Sequence, residues 1–173
     1  GGFIEGPGDN VRVNGPGNFY NTNSNVNGTA IINTNVSGGG FFNVFEIHSS
    51  GKLEFGGAVG AGQTVSVSGY QTYGGVFGVL QIDDPNYFAQ TNLGFGEIIL
   101  KGVKASGYSY HNDMLNLTPY PNGQVIGSIK LTLGVVDNYG PQNFGVSQVG
   151  GNVVIHADGL SYKAGGTLLP VHA

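Results

Sequence analysis

Few residues of this chain could do acid–base or metal chemistry, and their spacing gives catalysis little support. The histidines are His48, His111, His156 and His172. None stands in H-x-x-H or H-E-x-x-H spacing, so no pair is set on one face as a zinc site requires. The nearest thing to a carboxylate site is Asp83 beside Asp84 in "LQIDDPNYF". Adjacent carboxylates at a strand end could share a hard cation such as calcium if backbone carbonyls completed the oxygen shell. Asp ahead of Pro also opens a turn, with its side chain accepting a neighbouring backbone N–H, and this is the stronger reading. No "D-x-[DN]-x-[DN]-G" loop or "GGxGxD" repeat occurs, so neither a metal nor a cofactor is expected.

Hydrolysis would need a nucleophile, a base and an orienting acid, or two opposed carboxylates. No serine stands in G-x-S-x-G, cysteine is absent, and only 10 acidic residues exist to supply a pair. Glu46, Glu54 and Glu97 each alternate with apolar residues, as outward positions of strands do. The chain is therefore not expected to be an enzyme; the catalytic alternative is a glycosidase or lyase whose carboxylates converge on a β-solenoid.

Aromatic residues offer binding chemistry instead. The 9 tyrosines include those of "GYQTYGGVFG", "GYSYHND" and "TPYPNG". Tyr70, Tyr73, Tyr108, Tyr110 and Tyr120 are candidate contacts for surface glycans or another subunit, because an exposed phenol ring presents a flat apolar face and a polar tip. The competing reading is a thin core in which tyrosines lie half-buried with the hydroxyl in water. Asn27, Asn35 and Asn116 open N-x-[ST] sequons, which matter if the source glycosylates exported proteins.

Charge narrows the partners. With 6 basic residues and a net charge of −4, no cluster of Lys or Arg could displace counterions from a phosphate backbone, and nucleic acid is not expected as a partner. Hydrophobic residues make up 39 %, and no long apolar run occurs, so neither a charged disordered chain nor a transmembrane segment is expected. The opening "GGFIEG" has no Met, basic region or apolar run, which predicts a processed or excised product and favours an extracellular or cell-surface location.

The elements that must carry these residues are strands. "GKLEFGGAVGAGQTVSVSG" places Leu53, Phe55, Val65 and Val67 inward, and Lys52, Glu54, Gln63, Ser66 and Ser68 outward. "SIKLTLG" repeats the alternation, with Ile129, Leu131 and Leu133 inward. Further runs are "VRV" at 11 to 13, "TAII" at 29 to 32, "FFNVFEI" at 41 to 47, "VLQI" at 79 to 82 and "EIIL" at 97 to 100. "YSY" at 108 to 110, "LNL" at 115 to 117, "FGVS" at 144 to 147 and "NVVIH" at 152 to 156 complete them. "DDPNYFAQTN" at 83 to 92 reads as a loop or a short turn of helix. The prediction is an all-β fold: a β-solenoid or an elongated β-sandwich with short Gly/Asn-rich turns. Residues 1–173 read as one domain, with a Gly/Asn-rich thin-stranded zone over 1–75 and a more compact zone over 76–173. Gly, at 33 residues, and Asn supply left-handed turn geometry between closely spaced strands, and Asn can hydrogen-bond in register between coils.

"KLEFGGAVGAGQTVSVSG" followed by "VLQIDDPNYFAQTNLGFGEIILKGV" resembles the β-repeat segments of alphaproteobacterial secreted and surface proteins of adhesin and haemagglutinin-like type. Leu53 to Val67 match the element L-x-L-G-G-A-V-x-x-G-Q-T-V-x-F, and Leu80 to Phe88 match L-x-L-D-D-P-x-x-F. Gly94, Phe95, Ile98 and Leu100 to Val103 match a shortened third element in which the family's "GD" and second Asp are replaced, and "SQVGGNVVIHADG" is similar to the tail. The resemblance covers about 50 to 159. It implies a bacterial extracellular, adhesive or biofilm-matrix β structure without an active site. With terminal segments that lack charged caps, the expectation is a structural protein that self-associates through its terminal strands into a fibre or matrix. The alternative is a carbohydrate-binding or cell-adhesion module.

Overall fold

A computed structural model describes residues 3–4, 10–44, 51–60, 62–67, 78–85, 90–94, 96–120, 129–133, 145–157, 165–167 and 169–170. The fold is all-β, and no helix among the described residues is long and apolar enough to cross a membrane.

Strand β1 (Phe3–Ile4) precedes a series of stacked coils. The first coil runs through β2 (Asn10–Val13), β3 (Asn18–Tyr20) and β4 (Asn23–Val26), and the second through β5 (Thr29–Ile32), β6 (Asn35–Ser37) and β7 (Phe41–Val44). The third holds β8 (Lys52–Phe55) and β9 (Thr64–Val67), the fourth β10 (Gly78–Ile82) and β11 (Gln90–Leu93), and β12 (Gly96–Leu100) opens a fifth. Each strand pairs in parallel with its counterpart one coil away, which makes this part a solenoid. One wall is β2-β5-β8-β10-β12, a second is β1-β4-β7-β9-β11, and β3-β6 forms a third, extended by the parallel bridge from Val36 to Val59.

Beyond β12 the winding changes. Strands β13 (Ala105–His111) and β14 (Met114–Pro119) form an antiparallel hairpin, and β15 (Ile129–Leu133) returns to lie parallel to β11. Strands β16 (Gly145–Val149) and β17 (Asn152–Ala157) form a second hairpin, with β17 antiparallel to β12. Short strands β18 (Gly165–Thr167) on β13 and β19 (Leu169–Pro170) on β16 end the two large sheets. The first hairpin turns on Asn112 and Asp113, both at positive φ (50° and 59°), the geometry a tight two-residue hairpin loop demands.

Alternation builds the core as columns running along the stack. In the first wall, Ala30, Leu53, Leu80, Ile98 and Ile155 follow one another through the register, each fully buried, and Ile32, Phe55, Ile82, Leu100 and Val153 form the neighbouring column. Burying each Val, Leu, Ile or Phe of these columns contributes about 1.5–3 kcal/mol, and Ala30 less. Phe42 joins the walls, stacking on Phe19 at 6.3 Å and meeting Phe55 edge-on at 5.2 Å. Outside, amides bridge the coils: Asn33 donates to Asn14 at 2.6 Å, Asn43 to Asn25 at 3.0 Å and Asn92 to the Ser66 hydroxyl at 3.4 Å. Glycine permits the close stacking; a Cβ on Gly96 would sit 2.5 Å from the Gly78 carbonyl oxygen and 2.7 Å from Val67 Cγ1.

Two expectations are corrected. Gln63 is fully buried rather than outward, because it fills the corner between the third wall and the second. Its Nε2 donates to the carbonyls of Asn21, Ser37 and Gly38, and its Oε1 accepts from Asn21 Nδ2 at 2.8 Å. Ser24 completes the knot by donating to Asn21 Oδ1 at 2.7 Å, so each of these buried side chains is hydrogen-bonded. The stretch 83 to 92 is also not simply a loop: residues 83–85 turn, but Gln90, Thr91 and Asn92 belong to β11 and Thr91 is fully buried. Phe45 to Ile47, Ser68 and Phe144 lie outside the described residues.

Candidate functional site

Among the described strands the first wall ends at β2 and the third at β3, while the two residues of β1 continue the second wall past β4. Val11 occupies the inward column continued by Ala30 and Leu53, yet it is 40 % exposed where those residues are 1 % and 0 %. Val13 and Phe19, also inward, are only partly buried against the core. Among the described strands none lies on the far side of β2 or β3. The Val13 carbonyl accepts from Asn33 N–H at 2.9 Å, towards β5. By strand alternation the Arg12 N–H and C=O point the other way, along the edge. Exposed large apolar residues gather here as well: Tyr20 (64 %) and Phe41 (54 %) stand on the outer faces of the first two coils. The end thus combines an apolar floor with strand edges able to hydrogen-bond a further strand.

The tyrosines divide. Tyr108 and Tyr110 are buried in the core, so neither presents a ring to a ligand; this corrects their assignment as contact residues. The reason is the inward phase of β13, and the Tyr110 hydroxyl is anchored by donating to the Leu131 carbonyl at 2.7 Å and contacting Asp113 Oδ1 at 3.1 Å. Tyr120 is exposed and lines an open groove of about 440 Å³ with Lys104, Gln148 and Gly150. Gln148 shapes that groove from below, its Nε2 donating to the carbonyls of Val103, Gly150 and Asn152 while its Oε1 accepts from Ala105 N–H. Tyr70 and Tyr73 lie outside the described residues.

The carboxylates form one contact that sequence spacing did not indicate. Gln81 Nε2 donates to Glu54 Oε1 at 2.7 Å and to Asp83 Oδ1 at 3.0 Å, across the register pair of β8 and β10. Burial, then the neighbouring Asp83 charge and a hydrogen bond to it, raises the Glu54 pKa above the ordinary carboxylate value, against the lowering effect of Lys52 and Lys101. Among the described residues no three His, Cys, Asp or Glu side chains come together to hold a metal ion. His156 stands in register with Glu97, its Nε2 3.2 Å from Ser147 Oγ, while His111 is exposed at the hairpin end. His48, His172 and Glu46 lie outside the described residues. Of the sequon asparagines, Asn27 is buried at a coil corner, Asn35 accepts from Ala58 N–H at 3.0 Å, and Asn116 is exposed.

Sequence reasoning found the strand carrying Val11 but not its exposure. "VRV" carries no mark that it terminates a column, whereas "TAII" and "LEF" carry the same pattern inside one. Lys104 was missed because a lone lysine between strands has no pattern; only the fold sets it beside Tyr120. Compared with family models, curated proteins and solved structures, the chain matches none.

Proposed function

We propose that this is an extracellular structural protein of bacterial adhesin-like type, which self-associates as a fibre or matrix subunit through the strand edges at its first coil. The observation that carries this reading is Val11: an inward core residue, 40 % exposed at the end of a column whose next members are buried. Inward residues left uncovered in this way need a cap or a neighbouring coil. Another β edge supplies both the missing apolar contact and the backbone hydrogen bonds. The test is sedimentation of the native protein over a wide concentration range, with electron micrographs of the heavy species. Concentration-dependent assembly is the expected result, and a monomer at every concentration rejects the reading.

A second reading, a carbohydrate-binding or cell-adhesion module, is favoured by one observation. Tyr120 is 45 % exposed in a groove beside Lys104, a stacking surface next to a cation. A glycan array separates the two readings: signal abolished by Tyr120→Ala in a protein that stays folded supports the module, and absence of signal removes it.

A further inference from the structure

We infer that the groove between Lys104 and Tyr120 takes an acidic sugar, a uronate residue within a polysaccharide chain, with its ring on Tyr120 and its carboxylate on Lys104. The inference rests on the carbohydrate-binding reading and adds to it the class of sugar and the role of each side chain.

The backbone brings these two side chains to one place. Ala105 and Pro119 are the last register partners at the open end of the β13–β14 hairpin, and Lys104 and Tyr120 are their immediate neighbours in the chain. Both are exposed, and they line one groove with Gln148 and Gly150. Gln148 holds the lysine segment on either side of Lys104: its Nε2 donates to the Val103 carbonyl at 3.1 Å, and its Oε1 accepts from the Ala105 N–H at 3.1 Å. The same Nε2 donates to the Gly150 and Asn152 carbonyls, each at 2.9 Å, and so fixes the turn between β16 and β17. With its amide committed to the backbone, Gln148 positions the site, and recognition falls to Lys104 and Tyr120. A groove whose walls are tied before a ligand arrives loses less ordering entropy on binding.

The chemistry of the pair selects the ligand. A phenol ring offers a flat apolar face to the C–H face of a pyranose, and its hydroxyl can donate to or accept from the sugar's oxygens. Lys104 adds one positive charge, and among the described residues no carboxylate lines the groove. The lysines that act on Glu54 are Lys52 and Lys101, so Lys104 stands apart from the Glu54–Asp83 pair. One ammonium balances the single charge of a carboxylate. A phosphate monoester carries about −1.5 to −2, and a nucleic acid would need a cluster of cations. The groove, at about 440 Å³, lies within the range of about 300–1,000 Å³ usual for small-ligand sites, and its open form lets a polymer continue past the bound ring.

Calorimetric titration of the full chain with oligomers of galacturonate, guluronate and glucuronate, and with the methyl esters of the same oligomers, tests this. At least one acid is expected to bind at least about tenfold more tightly than its ester, because a hydrogen bond to a charged group is roughly twice as strong as a neutral one. Added salt should narrow that difference. Lys104→Gln should lower the acid to the affinity of the ester, and Tyr120→Ala should abolish binding of both; circular dichroism establishes that the variants are folded. If the esters bind as tightly as the acids, or if the preference for acid survives Lys104→Gln or binding survives Tyr120→Ala, the inference is overturned. If no oligomer binds, the inference is overturned as well. The glycan array then decides the fate of the module: a neutral sugar bound through Tyr120 leaves that reading standing, and a silent array removes it too.

Discussion

Replacing Gln63 by Leu tests how the first three coils are held together. Three carbonyls surround the Nε2 end of Gln63, which fixes the amide orientation, and the side chain is fully buried. Leucine fills a similar volume but donates nothing. After the change the Ser37 carbonyl keeps the Asn21 N–H at 2.9 Å, and Asn21 Nδ2 keeps the Phe41 carbonyl at 3.0 Å. The carbonyls of Gly38 and Asn21 lose the Gln63 donor, at 2.8 and 3.2 Å. The buried Asn21 carbonyl, the part-buried Gly38 carbonyl and the Asn21 Nδ2 hydrogen that had bonded Gln63 Oε1 are all deprived; at about 1–3 kcal/mol for each fully buried group, and partly offset by the added apolar burial, the expected loss is roughly 3 kcal/mol. Urea titration measures it as a lower midpoint. Amide exchange locates it, with faster exchange expected in β4 to β7 than in β12 and β17. A loss below about 1 kcal/mol, or exchange that rises equally everywhere, would refute the claim that this buried amide knot ties the coils.

Tyr110→Phe removes a hydroxyl bonded to the Leu131 carbonyl and is expected to cost about 0.5–1.5 kcal/mol in denaturant titration, whereas Tyr120→Phe should be neutral within error. Equal effects would contradict the division of the tyrosines into core and surface. Glu54 has a raised folded pKa, so between its unfolded value and that raised value the native state binds more protons than the unfolded state. The contribution of Glu54 to stability is therefore fully present below its unfolded pKa and falls as pH rises through the folded one. Glu54→Gln should be relatively more stable than the wild type above the ordinary carboxylate range and lose that advantage in acid. Parallel stability–pH curves for the two proteins would argue against the effect of burial and of the neighbouring Asp83 on Glu54.

Strand alternation was legible because it is local. "TAII" and "IKLTL" coincide with β5 and β15, and Leu53, Phe55, Val65 and Val67 are all buried. The coil period was not legible, and the register explains why. Asn10, Thr29, Lys52, Val79 and Glu97 are successive partners in one wall, yet they lie 19, 23, 27 and 18 residues apart. Loops of unequal length leave the wall intact while destroying any fixed repeat. Several of the strands missed had too few apolar residues to show a pattern: "NSNV" of β4 and "NVS" of β6 each present one buried valine, and β11 buries Thr91 beside Leu93; β3, of three residues, was too short. In a narrow core one inward apolar residue is enough, because neighbouring coils complete the column. Gln63 was misplaced for the related reason that a corner residue obeys no strand phase. The exposure of Val11 was illegible altogether, since it depends on what stacks beside the strand and not on its neighbours in the chain.

The most direct measurement of the central claim is hydrogen exchange at the Arg12 backbone amide, compared in dilute and concentrated protein. That N–H points along the edge of β2 away from β5. The account predicts that it exchanges freely when dilute and becomes protected as the concentration rises, while the amide of Val13, directed towards β5, changes far less. Arg12 exchange that is independent of concentration, in a protein shown by sedimentation to be associating, would place the contact elsewhere and contradict the account.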